Sequence, residues 1–219
     1  MDVTEVISSR HSVRQYKDIP VEKEKRGILD ALAKEITEES GISARIVYDE
    51  EKAFSSAMAR YGSFKGVRNY ICLFGDKKSD EKIGFYGQKL VIKAQEIGLN
   101  TCWVVLTFDK GFVKKNYGEG RPLRCVIALG YGETQGKERK SKTEKDVTEI
   151  KGKTPENFDV GVKAALSAPT AVNQQKFRII CKDEKVSIVK SGLGFYTDMD
   201  LGIVKYNFQT ASGIKVFEE

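Results

Sequence analysis

The stretch EKIGFYGQKLVIKAQEIGLNTCWVVLTF, residues 81–108, decides the reading of the fold. Its first part is a long helix from about Glu81 to Ile97. Ile83, Leu90, Ala94 and Ile97 share a face, and Gly98 stands where a helix-ending glycine belongs. Its second part, TCWVVLTF at 101–108, is an apolar strand run. Asp109 then offers a side-chain cap to a short helix running to about Tyr117. Two more runs, YICLF (70–74) and LRCVIALG (123–130), are near-continuously apolar. Strands of that kind are covered on both faces, so helices are expected around them.

Working outward, Val3–Ser9 reads as a short helix, and VEKEKRGILDALAKEI (21–36) as another, with Ile28, Leu29, Leu32 and Ile36 on one stripe behind Pro20. RIVY (45–48) reads as a weak strand and residues 52–60 as helical. Residues 131–153 lack apolar periodicity and read as a linker, which divides the chain into parts 1–150 and 151–219. In the second part Thr154 and Pro155 open a helix with Phe158, Val162, Ala165 and Leu166 inward, ended by Pro169. FRIIC (177–181) and VSIVK (186–190) flank the link KDEK as a hairpin. A last helix, about Asp198–Ala211, is stopped by Gly213. The chain also carries an internal echo. Ile83-Gly84-Phe85-Tyr86 and Leu193-Gly194-Phe195-Tyr196 each precede or open an amphipathic helix that ends in glycine, as two copies of one helical unit would.

Composition narrows the chemistry. Of 219 residues, 40% are hydrophobic and 31% charged, which is a globular profile. The only histidine, His11, excludes sites that need two imidazole ligands, and the four cysteines contain no CxxC pair, so no metal is expected. Four scattered thiols suit a reducing compartment better than a disulfide framework. The N-terminus MDVTEVISSRHS has no apolar signal region, and no apolar run is long enough to cross a bilayer, so a cytoplasmic protein without a membrane partner is expected. The net charge of +6 favours small anionic partners such as phosphate-bearing cofactors. The basic run KERKSKTEK (137–145) lacks interleaved aromatics, which argues against nucleic acid.

Three segments could carry chemistry. In RHSVR, Arg10 and Arg14 flank Ser12 and, on a helix or in a tight turn, would share a face able to hold a phosphate; a solvated basic helix end is the plainer reading. In SAPTAVNQQKF (167–177), Thr170, Asn173, Gln174 and Gln175 supply donors and acceptors together, which suits a planar heterocycle but also a capped polar turn. In GLNTCWVV (98–105), the only Trp begins a buried strand, either as core or with backbone N–H groups turned to a ligand. GYGETQG (130–136) has the wrong glycine spacing for a dinucleotide loop, and a charged coil follows it.

Together these segments resemble the nitroreductase family of flavoproteins. Residues 9–16, SRHSVRQY, are similar to that family's R-x-S-x-R-x-[FY] opening. Residues 168–175, APTAVNQQ, resemble its A-P-S-x-x-N-x-Q motif. Residues 94–103, AQEIGLNTCW, resemble its LGLGTCW segment with Asn100 in place of glycine, and ALGYG (128–132) its late strand and turn. The order departs from the common arrangement, because the A-P-S-x-x-N motif here comes last. That order resembles a divergent branch whose chain looks internally duplicated.

The resemblance implies an α+β fold, with a central mixed or antiparallel sheet surrounded by helices, and a pseudo-dimer within one chain. It implies non-covalent FMN, with NAD(P)H as co-substrate and a nitroaromatic, quinone or similar small molecule as acceptor. The flavin carries the chemistry, so no catalytic side chain is expected. The implied cofactor-binding residues are Arg10, His11, Ser12 and Arg14; Cys102, Trp103 and Val104; Lys140 and Lys142; and Pro169, Thr170, Asn173 and Gln175. Arg10 with Lys140 or Lys142 would neutralise the phosphate, and Arg14 would face the charge of the reduced ring. Asn173, Ser12 and Gln175 would meet the pyrimidine edge, and a backbone N–H near Trp103 or Val104 would approach the ring. The pocket would be completed within one chain or across a homodimer. A non-catalytic flavin-binding protein of the same fold is the alternative, and a nucleic-acid module the more remote one.

Overall fold

The computed structural model describes residues 2–218. The class is α+β, as the sequence implies, with two sheets in place of one central sheet. The chain forms two compact units that do not follow its order. One comprises residues 10–79 and 90–138; the other comprises residues 1–9, 80–89 and 139–219. The expected division at residue 150 is therefore replaced by two discontinuous units.

The unit of residues 10–79 and 90–138 is built on four antiparallel strands: β1 (Ser43–Val47), β2 (Asn69–Phe74), β3 (Asn100–Val104) and β4 (Leu123–Gly130). Their spatial order is β1-β2-β4-β3, so β2 and β4 are central and β3 is an edge. Every residue of β2 is buried, as its unbroken apolar run demands. Val13, Tyr16, Phe54, Phe64, Tyr70 and Phe108 are among the side chains that fill the core on one side of this sheet.

Helices α2 (Lys23–Ser40), α3 (Ala57–Tyr61) and α5 (Lys110–Tyr117) flank this sheet. Asp109 caps α5 as expected, its carboxylate accepting the Phe112 N–H at 2.8 Å. The strand expected over 101–108 ends at Val104, where pairing with β4 stops at Val126. Beyond it the chain bends, Phe108 turns into the core, and the Asp109 N–H bonds the Ala53 carbonyl.

The other unit holds α1 (Val3–Ser9), the first turns of α4 (Asp80–Glu96), α6 (Glu144–Val147), α7 (Phe158–Leu166) and α8 (Thr197–Ser212). Its sheet is β5 (Thr148–Lys151), β6 (Phe177–Lys182) and β7 (Lys185–Lys190), with β5 parallel and β7 antiparallel to the central β6. The β6–β7 hairpin is tighter than the expected four-residue link. Only Asp183 and Glu184 connect the strands, both at positive φ, the arrangement that matches strand twist. Residues 144–151 lie inside the expected linker yet form α6 and β5.

Inside this unit α4 and α8 meet through glycines. A Cβ on Gly84 would run into the Met199 carbonyl oxygen, and a Cβ on Gly202 into the Glu81 carbonyl oxygen. Below the crossing, the buried Gln88 amide donates to Asn207 at 3.0 Å, and Asn207 donates to the Ala164 carbonyl of α7 at 3.1 Å. Phe158 of α7 packs edge-on against Phe208 of α8, with centroids 6.0 Å apart.

Candidate functional site

The RHSVR segment is extended, not helical: α1 ends at Ser9. Ser12 bridges Thr101 in parallel, Gln15 bridges Lys65 and Tyr16 bridges Gly132. The Val13 N–H bonds the Thr101 carbonyl at 3.0 Å, the Tyr16 N–H the Lys65 carbonyl at 2.9 Å, and the Lys17 N–H the Tyr131 carbonyl at 2.8 Å. In extended backbone residues two apart share a side, so Arg10, Ser12 and Arg14 come together by a two-residue period rather than on the helix or in the tight turn expected. Their convergence shows at the Cys102 thiol. Burial pushes that thiol up, while Arg14, Arg10 and a hydrogen bond from Ser12 pull it back. Arg10 is only 3% exposed, whereas Arg14 is exposed and lies 5.9 Å over the Phe64 ring.

Strand β3 supplies the other wall of this cluster. Cys102 and Val104 turn their side chains into the core, and Trp103 is half-buried on the opposite face. Because the Thr101 carbonyl serves Val13 at the outer edge of β3, the Trp103 backbone faces the same edge by strand parity. The Val104 N–H faces β4 instead, so of the two backbone donors expected from the sequence the register favours Trp103. The Thr101 hydroxyl is buried beside Ser12 with no hydrogen-bond partner among the described residues. His11 is half-buried against Gly136, where a Cβ would approach the His11 Cβ to 2.6 Å. Asn100, the departure from the family pattern, holds that turn: its Oδ1 accepts the Gly132 N–H at 2.9 Å and its Nδ2 donates to Gln135.

The amide-rich segment lies in the other unit. After α7 the chain turns at the buried Ala168 and Pro169. The Thr170 hydroxyl accepts the Gln175 N–H at 3.1 Å. Gln175 is buried, and its side chain is committed within the unit. Its Oε1 accepts the Lys142 N–H at 2.9 Å, and its Nε2 donates to Ser141 and to the Leu166 carbonyl. Lys142 donates its Nζ to the Gln175 carbonyl at 2.7 Å. Gln175 and Lys142 thus tie residues 141–142 to the turn, whereas Lys140 and Asn173 are exposed, with Asn173 Nδ2 donating to the Lys140 carbonyl at 2.8 Å.

Two charged residues that the sequence reading passed over organise this turn. The Asp200 carboxylate accepts the Ala171 N–H on both oxygens, at 2.9 and 3.1 Å, and Gln174 Nε2 at 2.7 Å. Burial nevertheless pushes its acid up to about 6, against the pull of Gln174, the Ala171 N–H and Arg139. Arg139 donates to the Leu166 and Ala168 carbonyls at the end of α7, and burial lowers its pKa. A signal for Asp200 was present: it opens the stripe Asp200, Ile203, Val204, Asn207, Phe208 on α8, an acid on a face otherwise made for burial.

With this arrangement in view, the comparisons with known proteins are direct. The family model described as "Putative TM nitroreductase" matches residues 2–212. The chain belongs to that nitroreductase family. A structure described as a putative nitroreductase from Thermotoga maritima superposes with a TM-score of 0.69 at 20% identity, covering 96% of this chain and 83% of that one. A putative nitroreductase in complex with FMN from Desulfovibrio desulfuricans gives 0.54 at 17% identity, over 71% and 99% of the two chains. A putative NADH dehydrogenase/NAD(P)H nitroreductase from Bacteroides thetaiotaomicron gives 0.52 at 22% identity, over 66% and 95%. At such identities the likeness is one of fold. No curated protein matches the sequence. No helix among the described residues is long and apolar enough to cross a membrane.

Proposed function

We propose that this protein is an FMN-dependent oxidoreductase that passes electrons from NAD(P)H to a small electron-poor acceptor, such as a nitroaromatic or a quinone. The observation that carries the reading is the extended RHSVR segment laid along the outer edge of β3, which brings Arg10, Ser12 and Arg14 together there. The residues fit FMN in kind: two guanidiniums and a hydroxyl suit a phosphate or a ring that gains negative charge, and the buried Thr101 hydroxyl offers a further polar contact.

When bound, FMN supplies the two-electron chemistry, so the protein's part is binding, orientation and electrostatics. Arg10 and Ser12 hold anionic oxygen, and Arg14 places a fixed positive charge that favours the reduced form over the oxidised one. The Trp103 backbone faces the same outer edge of β3 that the Val13 N–H meets. The amide-rich turn of the other unit, taken by itself, carries in Thr170 and the exposed Asn173 a hydroxyl and an amide of the kind a planar heterocycle takes, with Lys140 adding charge and Pro169, Gln175 and Lys142 supporting the turn.

The test begins with the visible spectrum of freshly purified protein reconstituted with FMN. The expected result is a flavin spectrum that bleaches when NADPH or NADH is added without air and returns with menadione or a nitrofuran. A colourless protein after reconstitution would sink the flavin reading. Retained flavin without turnover would mark a flavin-binding protein that is not an enzyme. Arg14→Ala, at an exposed position, is expected to weaken FMN retention about tenfold, from loss of a charge-assisted contact.

A further inference from the structure

The amide-rich turn adopts a backbone that its own residues disfavour. Val172 (φ 44°), Asn173 (φ 55°) and Gln175 (φ 43°) all lie in the left-handed region, which a β-branched residue such as Val172 rarely enters. Val172 gains nothing locally in exchange, since its side chain is 90% exposed. Such a conformation persists only where surrounding contacts impose it. Thr170, Ser141 and Lys142 hold the far end of the turn through Gln175, and Asp200 holds its beginning. Both of its oxygens receive the Ala171 N–H, immediately before the strained residues, and Gln174 Nε2 reaches it from within them. The same Gln174 nitrogen donates to the Phe195 carbonyl at 2.7 Å, which fixes the direction in which that amide presents its hydrogens.

We propose that Asp200 is a positioning residue: its carboxylate, accepting from Ala171 and Gln174 together, holds the turn in which Val172, Asn173 and Gln175 are left-handed and so sets the orientation in which Asn173 is presented to a ligand. The identity of that ligand as FMN rests on the reading above; the control of the turn does not.

The donor pattern explains why a carboxylate stands here. Every group facing Asp200 donates, so both oxygens must accept. A protonated acid or an asparagine of the same shape would set one donor against another and release part of the turn. Burial raises the acid to about 6, so protonation falls within an accessible range while the ionised form holds at neutral pH. The charged groups around it are accounted for. Arg139 faces it from the segment before α6. Asp198, in the same first turn of α8, is engaged with Lys190 of β7. Glu81 of α4, whose carbonyl lies against Gly202, pairs with Lys205 of α8 at 2.6 Å.

The experiment uses the full chain, with Asp200→Asn as the isosteric variant and Asp200→Glu as the charge-keeping one. Without FMN, the Ala171 amide and the Gln174 side-chain NH2 are followed by ¹⁵N NMR from about pH 5 to about 8. In the native protein both are expected to titrate together with a midpoint near the value of about 6 set by burial. In Asp200→Asn neither titrates, and the Asn173 amide exchanges about tenfold faster, as expected for losing a buried acceptor. Asp200→Glu recovers part of the protection. FMN affinity is then measured over the same range; the phosphate of FMN titrates here too, but equally for every variant. Asp200→Asn should bind about tenfold more weakly near pH 8 and lose the extra weakening that the native protein shows below pH 6.

Signals at Ala171 and Gln174 that ignore both pH and the Asn substitution would overturn the proposal. Signals that behave as expected with FMN affinity unchanged in Asp200→Asn would overturn the link to ligand presentation. Signals that behave as expected in a native protein that takes up no FMN would support the positioning role and remove the flavin reading alone.

Discussion

The pattern Gly-Phe-Tyr occurs at 84–86 and again at 194–196, and the structure gives the two copies opposite fates. The first lies inside α4, with Phe85 8% exposed and stacked on Phe217 at 3.9 Å, and with Gly84 pressed against α8. The second lies in the loop before α8, where Phe195 is 75% exposed and Tyr196 sits at φ 56° ahead of the first helical residue. The true counterpart of Gly84 is Gly202. Each glycine abuts the carbonyl of the residue three positions before the other: Gly84 meets Met199, and Gly202 meets Glu81. Ile83-Gly84-Phe85 therefore corresponds to Leu201-Gly202-Ile203, two helical segments crossing reciprocally, with no shared tripeptide to advertise it. The lesson is that a repeat in a helical pair is carried by the position of a missing side chain relative to the partner's backbone, while an identical string of aromatics can be coincidence.

Four substitutions would break or sharpen that comparison. The largest effect is expected at the crossing itself. Gly202→Val puts carbon where the Glu81 carbonyl stands, and because backbone opposes backbone neither helix can give way locally. A loss of more than about 4 kcal/mol in urea-unfolding stability is expected. A loss below about 1 kcal/mol would mean that the glycines do not set the crossing. The next effect separates the two aromatic copies. Phe85→Ala should cost about 3–4 kcal/mol, since it empties a site stacked by Phe217 and edged by Tyr206, whereas Phe195→Ala should stay within about 0.5 kcal/mol. Equal losses in the two variants would refute the contrast.

The last effect concerns Asp200 of α8 and is a pH profile. The folded acid of Asp200 lies at about 6, above the 3.8 of a free carboxyl, so between these values the folded protein holds a proton that the unfolded chain has released. Stability from this group is therefore complete below about pH 3.8 and is lost as pH rises through about 6. The upper bound is about 3 kcal/mol, from roughly two pKa units at 1.36 kcal/mol each. Stability curves of the native protein and Asp200→Asn should diverge over that interval and run parallel above it. Parallel curves throughout would show that the buried acid does not titrate with folding.

Much of the fold was legible because hydrophobic runs decide it locally. Residues 123–130 form a strand with the boundaries the sequence suggests, and the α1 helix at 3–9 and the long helix from about residue 81 are where periodicity puts them. The misses share a cause, since each depends on partners distant in sequence. TEIK (148–151) is mostly exposed and polar enough to pass for linker, and it becomes a strand only because β6 offers a parallel edge. VVLTF keeps strand composition past Val104, but the ladder partner has run out and Asp109 needs the chain turned to cap α5. At the candidate site, the residues of RHSVR were found and their geometry was not. A spacing of four suggested a helix or a tight turn, and bridges to Thr101, Lys65 and Gly132 draw the segment out instead. Gln175 looked like a ligand contact because an amide beside a proline turn is chemically suited to one; only the neighbouring Ser141 and Lys142 show its groups already spent.

The ten residues 80–89 begin α4 in one unit, and its remaining turns belong to the other. A polypeptide threaded in this way offers no single scission that frees an autonomous module. Cutting at residue 150 would strip Gly84 of the helix it abuts and leave a bare stripe of glycine backbone at the head of an otherwise complete rod. Anyone wishing to transplant, shorten or split this protein would have to rejoin three separate pieces by permuting the termini, and would have to treat the long helix as shared property.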